Sequence, residues 1–149
     1  MSSQIYFEDV KEGTKIPQLV KCPTTQQLVK YAGASGDYYQ IHYDLIYSKG
    51  IGLSNTIVHG ALKSAFLGQM ITDWIGAGGN LKKLEVRYNA MDEPGAKTTS
   101  RGIVKTKHSS ENIIECEVWS EDATGQRTTS GRALISLPSR DINIEHTTG

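Results

Sequence analysis

The chain has 149 residues, 38% hydrophobic and 21% charged, enough apolar material for one ordinary domain and not the make-up of a disordered segment. Its 16 basic side chains balance 16 acidic ones. With no block of like charge, nothing electrostatic points to nucleic acid or to an anionic membrane as the main partner.

Met1 to Asp9 lacks the basic and apolar regions of a secretory leader, so a cytosolic (cytoplasmic) protein is expected. Thr24-Thr25-Gln26-Gln27 has the form of a capping box. It predicts a helix over about 24–34 with Leu28, Val29, Tyr31 and Ala32 as its apolar stripe, ended by Gly36. Residues 36–43 read as a loop, and Asp44 as the N-cap of a short helix running to about Lys49.

That loop carries the densest chemistry in the chain. Asp37 and His42 stand five residues apart just past the Ser35-Gly36 break, a carboxylate and an imidazole able to hold one water and exchange protons with it. Ser35 turns the chain and is placed to orient Asp37. Seventeen residues after His42 comes His59, and its motif Ile57-Val58-His59-Gly60 opens a segment that is apolar or small almost all round. Lys63, Gln69 and Asp73 interrupt it, so a covered core helix is expected over about 60–76 and not a membrane span. A glycine at such a helix start offers a bare backbone N–H to an oxygen gaining charge, although close packing alone also selects glycine. His59, just ahead of the helix, fixes the turn that presents Gly60.

The remainder alternates with period two. Leu84, Val86, Tyr88 and Ala90 form one inward set; Ile114, Cys116 and Val118 another; Ala133, Ile135 and Leu137 a third. A further strand is predicted over about 97–108. The turns between these strands fall at Asp92-Glu93-Pro94-Gly95, at His108 to Asn112 and at Asp122 to Gly125. Cys116 is expected to be a small buried hydrophobe, and neither it nor Cys22 has metal or redox spacing. Lys82, Lys83 and Arg87 read as a solvated strand face. One domain over 1–138 is expected, with a polar, fraying tail over 139–149. A buried helix followed by long antiparallel strands implies an α+β architecture, a curved sheet wrapped around that helix. The open sheet edge and part-covered helix then favour dimerisation.

Phe7 to Gly13, Tyr31 to Asp44, Val58-His59-Gly60-Ala61-Leu62 and Thr72 to Gly76 together resemble the MaoC-like dehydratases, of the (R)-specific enoyl-CoA hydratase and 3-hydroxyacyl-ACP dehydratase type. The likeness extends over about residues 4–138 and implies the hot-dog fold. It implies reversible hydration of trans-2-enoyl thioesters, carried by CoA or acyl-carrier protein, to (3R)-3-hydroxyacyl thioesters. By the same resemblance Asp37 and His42 would handle the water and Gly60 would be the oxyanion donor. Tyr38, Tyr39, Gln40 and His59 would border the substrate. No cofactor and no metal is expected, and the implied partner is a second hot-dog subunit, identical or not.

The family's loop reads Ser/Ala-Gly-Asp-x-Asn-Pro-Ile/Leu-His, whereas this chain has Ser35-Gly36-Asp37-Tyr38-Tyr39-Gln40-Ile41-His42. Tyr39 and Gln40 thus replace Asn-Pro, removing the proline that stiffens the loop. A helix serine that some hydratases carry nine residues after the His of the His-Gly pair is Gly68 here. Two other readings compete. A hot-dog thioesterase would need a carboxylate on the central helix, where only Asp73 stands, near the far end. An acyl-binding subunit of a hetero-oligomeric dehydratase would keep the fold without the chemistry.

Overall fold

A computed structural model describes residues 3–141. A short 3-10 turn at Phe7–Asp9 precedes strand β1, Lys15–Lys21. Helix α1 spans Thr25–Ser35, a 3-10 turn covers Gln40–His42, and helix α2 spans Leu45–Gly50. Helix α3, Gly60–Ile75, is followed by β2 (Asn80–Tyr88), β3 (Thr98–His108), β4 (Ile113–Glu121) and β5 (Arg127–Ser136). The strands form one antiparallel sheet in the order β1-β3-β4-β5-β2, packed on α3. This is the expected hot-dog arrangement, with the sheet left open at β1 and β2.

Alternation does the packing. In β4 every second residue, Ile114, Cys116, Val118 and Ser120, is buried, and in β5 Ala133 and Ile135 continue the same layer. They meet Leu67, Met70, Ile71, Trp74 and Ile75 from α3 in one core. Burial pushes the Cys116 thiol up to about 12, so it behaves as the small hydrophobe expected. A second, smaller cluster of Leu28, Val58, Leu62 and Phe66 joins α1 to the first half of α3. What remains of the α3 surface is a strip of Ala61, Ala65, Gln69 and Thr72, exposed in the single chain. Among the described residues no helix is long and apolar enough to cross a membrane.

The helix ends follow their local chemistry. Thr24 caps α1 by accepting from Gln27 N–H at 3.1 Å, though the described residues show no return bond from the Gln27 side chain. Gly36 ends α1 at φ +77°, a left-handed conformation that suits glycine. Asp44 caps α2 through Tyr47 N–H at 3.0 Å.

Strand β1 carries no strand signal in the sequence. Its sequence, with Pro17 inside it, lacks clean alternation, because β1 is an edge strand whose register with β3 shifts between Ile16 and Leu19. The start of the polar tail also differs from a free end. Ser139 bonds Glu8, and Arg140 pairs with Asp9 at 2.6 Å and lies over the Tyr6 ring. The expected fraying of the tail beyond 141 lies outside the described residues.

Candidate functional site

The loop after α1 is built by hydrogen bonds that aim Asp37 and His42 at each other. Ser35 Oγ donates to Tyr31 O at 2.7 Å and accepts from Asp37 N–H at 3.2 Å, which carries the chain sharply out of the helix. His42 N–H donates to Tyr39 O and Asp44 N–H to Gln40 O, closing the 3-10 turn. These bonds give Tyr39-Gln40 a fixed backbone without the missing proline. Ile57 then clamps the far side. Its N–H donates to Ile41 O at 3.0 Å, and its carbonyl accepts from His42 Nδ1 at 2.8 Å.

That second bond fixes the imidazole. With Nδ1–H committed to a carbonyl, Nε2 is left with its lone pair. His42 Nε2 lies 3.6 Å from Asp37 Oδ2, too far for a direct hydrogen bond and close enough for both to contact one water. The two differ in setting: the His42 side chain is 8% exposed and that of Asp37 47%. One is held by protein and the other is open to solvent.

His59 stands behind this pair, fully buried. Its ring stacks on His42 with centroids 3.8 Å apart and 20° between planes, and meets the edge of Tyr31 at 4.8 Å. Nε2–H donates weakly to Asp37 O at 3.4 Å, while Nδ1 has no partner. Desolvation, then the neighbouring His42, holds its pKa below the ordinary imidazole value. A neutral His59 therefore supports His42 from behind. Asp37, His42 and His59 can bring one ligand atom each within 4.8 Å of one another. The stacked rings keep their lone pairs in near-parallel planes, an arrangement better suited to proton handling than to converging on an ion.

Gly60 is the first residue of α3, so its N–H is one of the donors with no partner inside the helix. His59, the N-cap, makes no side-chain cap bond and leaves these donors free. The glycine has a packing reason too: a Cβ at position 60 would come within 2.9 Å of the Tyr88 ring. Tyr88 is held there by a 2.6 Å hydrogen bond between its hydroxyl and Ser64 Oγ. Alternation would bury Tyr88 with Leu84 and Val86, whereas it is 49% exposed at the end of β2 and Ala90 lies beyond the strand, because Tyr88 covers the start of α3 and not the sheet's core.

Tyr38 and Tyr39 are exposed, at 61% and 52%, on the open side of the site. Tyr39 presents its edge to His42 at 6.3 Å, and Gln40 is exposed beside it. Asp73 is remote from the pair. It lines a cavity of about 430 Å³ with Ile5, Pro17, Leu19, Met70 and Trp74 at the far end of α3. Lys82, Lys83 and Arg87 are solvent-exposed on β2, as expected.

Comparison with known proteins places this geometry in context. A family profile described as the MaoC like domain matches residues 9–125. The fatty acid synthase subunit beta of Gibberella zeae is 38% identical over 68 residues, 44% of this chain. The chain spans only 3% of that relative's length. Among solved structures, the R-hydratase PhaJ1 of Pseudomonas aeruginosa superposes with a TM-score of 0.85 at 22% identity, covering 91% of this chain and 87% of its own. The ChsH1-ChsH2 complex of Mycobacterium tuberculosis gives 0.78 at 19% identity, covering 85% and 98%. At these identities the structural likeness speaks for the fold.

Proposed function

The chain belongs to the MaoC-like dehydratase family, and on that premise we propose that it is a hydro-lyase interconverting trans-2-enoyl and (3R)-3-hydroxyacyl thioesters. The observation that carries the proposal is the 3.6 Å Asp37–His42 pair with the His42 Nδ1 proton already committed to Ile57 O. In hydration, a water contacts Asp37 Oδ2 and His42 Nε2. His42 Nε2 takes a proton as the water oxygen bonds to C3 and electron density moves onto the thioester oxygen. Gly60 N–H and the positive end of α3 stabilise that oxygen. The enolate then collapses, and C2 receives a proton from the pair, so one water has added across the double bond. Dehydration runs the same steps backwards.

Tyr38, Tyr39 and Gln40 border the acyl entrance in this reading, and His59 acts on the substrate only through His42. The exposed Asp37 and the two exposed tyrosines suit closure by a second hot-dog subunit, in a homodimer or a heterodimer. A thioesterase is disfavoured because Asp73, the one carboxylate of the central helix, stands in its last turn. An acyl-binding partner subunit is the second reading, motivated by Tyr39-Gln40 and by a structural neighbour that is a complex of two named chains.

The test is a panel of enoyl-CoA and enoyl-ACP substrates with the purified chain, following loss of the conjugated enoyl absorbance and, separately, thiol release. Hydration without thiol release is expected. Thiol release alone would support the thioesterase, and activity only after adding a second hot-dog subunit would support the partner reading.

A further inference from the structure

Lys63 is the one lysine among the described residues that is buried, at 3% exposure, and the mechanism above does not use it. It stands one turn into α3, on the helix that begins with Gly60. Its ammonium donates to Asp92 Oδ2 at 2.6 Å, Ala90 O at 2.8 Å and Thr128 O at 3.3 Å, so all three protons have acceptors. Asp92 is itself buried and holds a second line to the same place: its carbonyl accepts from Val58 N–H at 2.8 Å. One residue therefore grips both the chain entering the His59-Gly60 corner and the first turn beyond it. Thr128 O also accepts from Asn89 and Ala90 N–H, which ties the 89–92 segment to β5.

A buried ion pair is a poor way to gain stability, since apolar side chains of similar volume often do as well or better. What it supplies is direction. Leu62 and Phe66 on the same helix already provide burial, but apolar contacts are non-directional. A lysine with three fixed acceptors is held in direction as well as in depth. We propose that Lys63 and Asp92 are positioning residues that set the place of the Gly60 N–H relative to His42. The proposal rests on the reading of Gly60 as the oxyanion donor. A misplacement of about 1 Å remote from the chemistry can cost about 10²-fold in rate.

The decisive variant is the apolar double replacement Lys63→Met/Asp92→Leu, which removes the pair without leaving a buried charge; Lys63→Arg serves as the conservative control. Three readouts are needed on the full chain: thermal midpoint, kcat and KM for crotonyl-CoA, and the amide ¹⁵N–¹H signals of Val58 and Gly60. The expected result is a thermal midpoint near that of the parent, kcat lowered by about 10- to 100-fold, KM little changed, and displaced or broadened Gly60 and Val58 signals. Lys63→Arg should recover part of kcat. Parent-like kcat with unmoved amide signals in the double variant overturns the proposal, as does a kcat loss that follows thermal destabilisation while those signals stay in place. The amide signals decide the matter without turnover. A parent chain inactive on every enoyl thioester would therefore defeat the hydratase reading and leave the positioning question answerable.

Discussion

In the proposed mechanism Asp37 and His42 divide one task unequally. The Ile57 carbonyl fixes the imidazole tautomer, while the carboxylate stays largely open to solvent. Asp37→Asn and His42→Gln should each lower kcat by about 10²–10⁴-fold, with a thermal midpoint close to the parent's. Parent-like turnover in either variant would remove that residue from the mechanism. His59 makes a different prediction. Its folded-state pKa is lowered from the ordinary 6.5, so the unfolded chain binds its proton more readily. The stability tied to a neutral His59 is complete above about pH 6.5 and is lost as pH falls toward the folded pKa. Urea unfolding between pH 8 and pH 5 (about the span over which an imidazole titrates) should show this decline, and His59→Gln should flatten it. An unchanged slope in that variant would refute the assignment. That Asp37 and His42 lie side by side was legible in the sequence because both sit in one short motif. The Ile57 carbonyl was not, since every residue carries the same backbone oxygen and only folding selects which one is used.

At the scale of the elements, the start of α3 is the informative join. Gly60 was readable as a helix start, but the sequence alone did not choose between an oxyanion donor and a packing glycine. The structure gives the packing reason a partner in the Tyr88 ring, from a strand 28 residues later by numbering. The two roles are compatible, and they predict different rescue behaviour. Gly60→Ala should destabilise the fold by about 1–3 kcal/mol through overpacking, and Tyr88→Leu in the same chain should recover most of that in urea titrations. Turnover should recover as well if the alanine N–H returns to its place; recovery of neither would show that the Tyr88 contact is not what excludes a side chain. The central strands were legible from alternation because one face of each is buried. Edge strand β1 was not, since Pro17 and a register shift break the pattern that marks a strand.

For the whole molecule, three features stay open in a single chain: the sheet edges, the exposed strip on α3 and the tyrosines beside Asp37. A homodimer of twice 16.3 kDa is expected by sedimentation equilibrium. A chain that sediments as a monomer and gains turnover only with another hot-dog protein would favour the heterodimer. The α+β architecture followed from the order of elements alone, a buried helix and then long strands. Which faces would meet a second subunit did not, because a partner's surface leaves no pattern in this chain.

The three acceptors of Lys63 also bear on when the site can exist during synthesis. Ala90 and Asp92 lie beyond β2, and Thr128 lies in β5, 65 residues after the lysine. A nascent chain that has finished α3 already contains Asp37, His42 and Gly60, yet it has nothing to hold the lysine's charge. Burying that helix early would strand an ammonium in an apolar interior. The carboxylate that pairs with the lysine arrives with residues 89–92, just past β2, and its third acceptor, Thr128 O, only with β5. Contacts of such long sequence separation form slowly. A nascent chain that has not yet made β5 should therefore carry the proposed reactive residues with the 89–92 segment still untied from Thr128 and the lysine one acceptor short.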